Sequence, residues 1–212
     1  MTLRYSKISE NTIMRFSLYA RYLEHLEQAE VSMVSSEQLA LAAGVHASNV
    51  RKDLQFLGVL GIRSLGYEVI ALKNKLQLAL GLEQELRLAI WGFGYLGKAL
   101  FDHCHHHASN FKIVHIFDSR SYVIGERIKG ITVKSIKNWE KNLETEPVDI
   151  VVIAENIEDP QTMGQSFSTV GVKAVLNFSA NRLPLSDATA YKHIDLTGGL
   201  NYLRFRILNG YS

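Results

Sequence analysis

The sequence predicts an α/β chain in two parts: a winged helix-turn-helix, then a doubly wound parallel sheet, closed by one last helix. Three observations carry that expectation. Two short helical patterns meet at Gly44 and lead into a glycine-punctuated, β-forming stretch. The run Gly92-Phe93-Gly94-Tyr95-Leu96-Gly97 directly follows an apolar, strand-like segment. Beyond it, apolar strands alternate with helical segments, the pattern of a parallel sheet covered on both faces.

The 212 residues suffice for two small cores. The 47% hydrophobic and 21% charged residues are ordinary for a globular protein. No apolar run approaches the ~18 residues of a membrane span. Residues 1–30 carry charges throughout, unlike a secretory signal. The single cysteine, Cys104, allows no internal disulfide and suits a reducing cytoplasm. Net charge is +2, and residues 1–82 hold nine Lys/Arg against seven Asp/Glu, again +2. A nucleic-acid face must therefore arise from segregation of charge, not from excess.

In residues 10–30, Ile13, Phe16, Tyr19, Ala20, Leu23 and Leu26 recur at spacings of three and four, which predicts an amphipathic helix. Ser35-Ser36-Glu37-Gln38 opens a second helix with a capping box, and Gly44 ends it. Residues 47–57 form a third, with Val50, Leu54 and Leu57 facing inward. In a helix-turn-helix the second helix enters the major groove and its early residues meet base edges. Ser48, Asn49, Arg51 and Lys52 occupy those positions, with Asp53 placed to orient Arg51 or balance local charge. Taken alone, Arg51-Lys52 reads more readily as a solvated helix face.

Gly58, Gly61, Arg63, Gly66 and Tyr67, followed by Val69-Ile70, predict a hairpin wing with Arg63 at its tip. Tyr67 is open to two readings, a DNA contact or packing. Residues 72–81 predict a linking helix stopped at Gly81.

Leu86–Trp91 predicts a buried strand, with a helix from about Leu96 to Ala108 beyond the glycine loop. Gly92 permits the tight turn, Gly94 the close approach of a pyrophosphate, and Gly97 the packing of helix on strand. The helix N-terminus offers amides and partial positive charge to phosphates. The strand Ile113–Phe117 ends in Asp118, 21 residues past Gly97 and close to the ~20 expected of an acid that bonds a ribose hydroxyl. This predicts a Rossmann-like domain that binds NADH or NAD. Asp118 favours NAD over NADP, while the neighbouring Arg120 keeps NADP open. Further strands are expected at 131–133, 148–153 and 174–177, with a helix near 159–169. Asn177 and Phe178 fall at a strand end, where they either touch the nicotinamide or simply end the strand.

His103-Cys104-His105-His106-His107 invites a metal reading, since His103 and His107 share a helix face. No matching ligand cluster appears elsewhere, so a polar helix end is preferred and no metal is expected. Residues 197–208 predict a last helix with Leu200, Leu203, Ile207 and Leu208 apolar. It follows a finished sheet, so a partner subunit is expected to cover it. The expected parts are 1–82, 83–196 and 197–212.

Taken together these residues resemble the Rex family of bacterial redox-sensing repressors over nearly the whole chain. The resemblance rests on Ser35-Ser36 with Leu39-Ala40, Val50-Arg51-Lys52-Asp53-Leu54, Phe56-Leu57-Gly58, and Gly61-x-Arg63-x-x-Gly66-Tyr67. It continues through Leu80-Gly81-Leu82, the glycine loop with Ala99-Leu100, Phe117-Asp118, Leu176-Asn177-Phe178 and Ile194-Asp195-Leu196. It implies a homodimer on double-stranded DNA, at an inverted-repeat operator, released by NADH and favoured on DNA by NAD. Ser36, Ser48, Asn49, Arg51, Lys52, Arg63 and Tyr67 are the implied DNA-binding set. The resemblance also implies a switch in which Arg21 pairs with Asp195 in one state. His103 stands where the family usually has a tyrosine of that network. Ala154-Glu155-Asn156 replaces a usual Thr-Val-Pro, and Ser64 a usual wing glycine. An ionised Glu155 beside the cofactor would cost affinity. Two other readings are a DNA-binding paralogue with weakened NADH response and a small NAD-dependent oxidoreductase. No Tyr-x-x-x-Lys supports the latter.

Overall fold

The computed structural model describes residues 8–108 and 110–210, with only the backbone described at His107. The chain divides into two compact units, Met1–Gln84 and Glu85–Ser212.

The first unit begins with α1 (Glu10–Gln28), capped by the Ser9 hydroxyl. Its buried stripe is Thr12, Phe16, Tyr19, Ala20 and Leu23. Ile13, expected on that stripe, is exposed, and Thr12 takes the inward place because its hydroxyl finds a buried acceptor, Asp53. A two-residue strand, β1 (Met33–Val34), leads to α2 (Ser36–Ala43), where the Ser35/Gln38 capping box forms as the sequence predicts. Next comes α3 (Ala47–Phe56), with Val50, Leu54 and Leu57 buried. The wing closes where Ile62 and Gly66 exchange backbone hydrogen bonds of 2.7 and 2.9 Å. Beyond it, β2 (Tyr67–Glu68) pairs antiparallel with β1.

Val69 and Ile70 do not extend the wing. They open α4 (Val69–Leu80), three residues earlier than expected. Val69, Leu72 and Leu76 are all fully buried on one helical face, so packing overrides the β preference of two branched side chains. One core joins Phe16, Tyr19 and Leu23 to Leu39, Leu54 and Leu76.

The second unit carries a seven-stranded sheet. It starts with β3 (Leu86–Trp91), then α5 (Tyr95–His107) and β4 (Phe111–Asp118). Two strands, β5 (Arg127–Ile128) and β6 (Ile131–Ser135), precede a short 3₁₀ turn and α6 (Trp139–Thr145). The remainder is β7 (Ile150–Ile153), α7 (Pro160–Thr169), β8 (Ala174–Asn177), β9 (Ala190–His193) and α8 (Leu196–Leu208). Strand order is β5-β6-β4-β3-β7-β8-β9, parallel except for β5. Connections run outward from β3 in both directions, so the order reverses there, and a ligand crevice belongs outside the carboxyl ends of β3 and β7. Clusters around Trp91, Trp139 and Phe167 on one face and Ile90, Phe101 and Ile116 on the other bury the sheet on both sides.

β7 begins two residues later than its apolar run, because Asp149 turns aside to accept the Arg87 amide at 2.9 Å. α8 buries none of its side chains in this chain; Leu200, Leu203, Ile207 and Leu208 are all exposed. Among the described residues, no helix is long and apolar enough to cross a membrane.

Candidate functional site

In the first unit, α3 presents Ser48, Arg51 and Lys52 to solvent, with Asn49 half-buried. Arg51 leans toward the start of α2: its Nη1 donates to Ser36 Oγ at 2.7 Å and to Glu37 Oε1 at 3.4 Å. The Ser36 hydroxyl in turn reaches the Glu37 carboxylate. One cation thus bridges the two helices of the helix-turn-helix while staying accessible. Asp53 does not orient it. Asp53 points the other way, into the unit, and accepts from Thr12, Arg15 and Tyr19. The reason is phase: Asp53 is three residues past Val50 and shares its buried face. Arg15, Thr12 and Tyr19 escaped sequence reasoning because their partner lies some 40 residues away; a buried acid among apolar residues was the available signal.

Arg63 is exposed at the wing tip, beside Ser64, whose φ of 68° is the left-handed conformation that favours glycine. Tyr67 is 7% exposed, and its ring packs in the core. Burial raises its phenol above the usual range, opposed by the nearby Arg51 charge. Arg21 is exposed on α1.

In the second unit the glycine loop has the form that a pyrophosphate cradle needs. Gly92 has φ +89°, and a Cβ at Gly97 would collide with the Gly92 carbonyl oxygen. A Cβ at Gly94 would meet only the Arg120 guanidinium, at 3.7 and 3.8 Å, so the backbone there is open to a ligand. Among the described residues, no side chain caps α5, whose first turn is Tyr95, Leu96 and Gly97. Phe93 buries its ring against Phe101 (5.8 Å between centroids) and offers the loop only its backbone. Tyr95 is almost wholly exposed, and Leu96 is half-buried.

Asp118 is fully buried and its oxygens are fully used. Oδ1 accepts from the Arg120 amide and Nε, both at 2.8 Å; Oδ2 accepts from the Phe93 amide at 2.7 Å and Arg120 Nη2 at 2.5 Å. Burial works to raise its pKa, but the Arg120 guanidinium and those two amides outweigh burial and hold it below the usual carboxylate range. The acid expected to bond a ribose is therefore already bonded within the chain.

Beyond the ends of β3 and β7 opens a cavity of about 450 Å³. Trp91 and Trp139, edge-to-face at 5.6 Å, line it, together with Glu140, Glu155, Glu158 and Asp159. The Glu155 side chain lies against Gly92. Burial first, and then the Asp118 charge, push its pKa up, with Arg120 opposing.

Asn177 ends β8. It is fully buried, its amide donates to Asn181 O and Tyr191 Oη, and its oxygen accepts the Ser179 amide. Its polar atoms brace the loop after β8. Phe178 follows, half-buried, with its amide on Ile153 O. Asp195 is exposed and caps α8 through the Gly198 amide at 2.8 Å. His103 is exposed on α5. His105 stacks on Phe101, and the His107 side chain lies outside the described residues. Among the described residues, no three His, Cys, Asp or Glu gather as for a metal.

Residues 7–55 match the family model "Putative DNA-binding protein N-terminus", and residues 83–181 match "CoA binding domain". The chain is 35% identical to the redox-sensing transcriptional repressor Rex of Carboxydothermus hydrogenoformans, over 95% of this chain and 97% of the relative. It is 34% identical to Rex 1 of Thermotoga maritima, with the same coverage. Among solved structures it resembles RSP, a Rex-family repressor. The TM-score is 0.87 to RSP with NAD+ and operator DNA, at 29% identity over 96% of this chain and 94% of that one. It is 0.82 to RSP with NADH, at 28% identity over 96% of each.

Proposed function

The chain belongs to the Rex family of redox-sensing transcriptional repressors, and from that premise we propose that it is a cytoplasmic, non-enzymatic homodimer that holds an inverted-repeat operator and is released by NADH. The observation that carries the reading is the pairing of two intact devices in one chain. A helix-turn-helix presents Arg51 and Lys52 on α3, and a glycine loop shows the close Gly92–Gly97 contact.

In this reading Arg51 leaves Ser36 and Glu37 for base edges, and Lys52 and Arg63 meet the DNA. Ser48 and Asn49 stand where the early turns of a reading helix face the groove. Ser36, at the start of α2, is a backbone-phosphate contact. The glycine loop and the first turn of α5 receive the pyrophosphate, Asp118 and Arg120 face the adenosine ribose, and Phe178 lies toward the nicotinamide. The exposed apolar residues of α8 meet a second copy of the chain. Arg21 and Asp195 are the proposed switching pair, with His103 beside them in the network.

Release demands a ligand that prefers one dimer state over the other, by no more than its difference in affinity. A second reading, a DNA-binding member with weak NADH response, is favoured by two observations: the filled lone pairs of Asp118 and the acidic wall around Glu155. A gel-shift titration separates the two. Release by micromolar NADH (an affinity of about −8 kcal/mol) with NAD+ ineffective supports the sensor. DNA binding indifferent to NADH supports the second reading.

A further inference from the structure

The ribose end of the nucleotide site is built around an ion pair rather than a lone acid. A carboxylate has about four lone-pair positions. On Asp118 they are taken by the Phe93 amide, the Arg120 amide and two guanidinium nitrogens of Arg120. A bonded ribose diol would have to displace one of these. An acid excludes a 2′-phosphate by charge, whereas a nearby arginine accommodates one. Here the acid is buried and neutralised, and the arginine is the partner that reaches the surface, 35% exposed against 0% for Asp118.

Arg120 is also in the right place. Its two terminal nitrogens lie 3.7 and 3.8 Å from where a Gly94 Cβ would sit, so the guanidinium borders the point at which a dinucleotide backbone approaches. The Tyr122 ring stands 5.7 Å from it and helps fix the fork. Nε and Nη2 bond Asp118, which leaves Nη1 as the guanidinium nitrogen turned away from the acid. Glu155 lies on the other side of the loop, against Gly92.

We propose that Arg120 is a specificity-determining residue that makes this site accept a 2′-phosphorylated dinucleotide, so that NADPH is a ligand alongside NADH. The proposal rests on the nucleotide-sensing reading above and names a further ligand class for the same site.

The test is equilibrium titration of the full-length dimer with NADH and with NADPH, followed by nicotinamide fluorescence, for the wild type and for Arg120→Ala. The proposal expects wild-type dissociation constants within tenfold of each other. In the variant, loss of the cation and release of the Asp118 oxygens should raise the NADPH/NADH ratio at least tenfold. Because Arg120→Ala strands a buried carboxylate, the wild-type ratio is a sufficient test if the variant fails to fold. NADH binding with NADPH more than tenfold weaker in the wild type overturns the proposal and leaves the sensing reading standing. So does a ratio that Arg120→Ala leaves unchanged. Failure of both nucleotides to bind overturns the two together.

Discussion

Arg15 of α1 grips Asp53 of α3 with two guanidinium nitrogens, at 2.6 and 2.7 Å. Tyr19 and Thr12 add hydroxyl donors at 2.9 and 3.2 Å, so the acid immediately after Arg51-Lys52 anchors α3 to α1. Burial first, then the bond to Asp53, pushes the Tyr19 phenol well above its usual range.

Removing Asp53 leaves a guanidinium and a buried hydroxyl without their acceptor. Asp53→Ala should cost about 3 kcal/mol, and Asp53→Asn less, because it keeps one acceptor oxygen. Urea unfolding of the full chain measures both. A loss of under about 1 kcal/mol for Asp53→Ala, the range of an exposed pair, would show the network to be incidental.

Ser64 holds a left-handed φ of 68° at the wing tip, fixed by the Ile62–Gly66 hydrogen bonds. Ser64→Gly should stabilise the first unit by about 1 kcal/mol. Thermal unfolding at matched concentrations checks it. A loss of stability would mean that the hydroxyl makes a compensating bond.

The parts of the fold legible in the sequence were those with one dominant signal. Leu86–Trp91 and Ala174–Asn177 have the bounds their apolar runs predict, and the Ser35–Gln38 box caps α2 as its spacing requires. Elements lacking such a signal were not legible. β9, at the sheet edge, alternates exposed and half-buried residues, and β5 is two residues long. Val69-Ile70 misled because local β preference and helical phase disagree, and phase prevailed. At the site, the glycines were legible because backbone geometry demands them. The side-chain pairings Asp53–Arg15 and Asn177–Tyr191 were not, because they depend on which way a side chain turns.

His115 on β4 is fully buried, with Nε2 2.8 Å from the Glu146 carbonyl oxygen and Nδ1 3.1 Å from Lys134 Nζ. Those partners suit a neutral ring that donates from Nε2 and accepts at Nδ1. Burial lowers its pKa; the Glu146 carbonyl opposes this and the Lys134 charge adds to it. The ring's contribution to stability is complete above the ordinary imidazole value. It is lost as pH falls from there to the depressed value in the fold. His115→Gln should flatten stability against pH in that window. An unchanged slope would assign the acid sensitivity to other groups.

Glu155 should make nucleotide affinity depend on pH. Its pKa is raised by burial and by Asp118, so rising pH charges it beside the glycine loop and should weaken NADH binding. Glu155→Gln should bind NADH more tightly than the wild type at neutral pH, with a difference that shrinks in acid. Titrations at several pH values read this directly. A variant that keeps the wild-type slope would remove Glu155 from the site.

Gly94 separates ligand from fold: its φ of −74° is open to any residue, and a Cβ there meets only Arg120. The decisive measurement is operator release by NADH, in gel shift, for the wild type and Gly94→Val. The account predicts unchanged operator affinity in both and release of the wild type alone. Release of Gly94→Val at the same NADH concentration would place the controlling ligand somewhere other than the glycine loop.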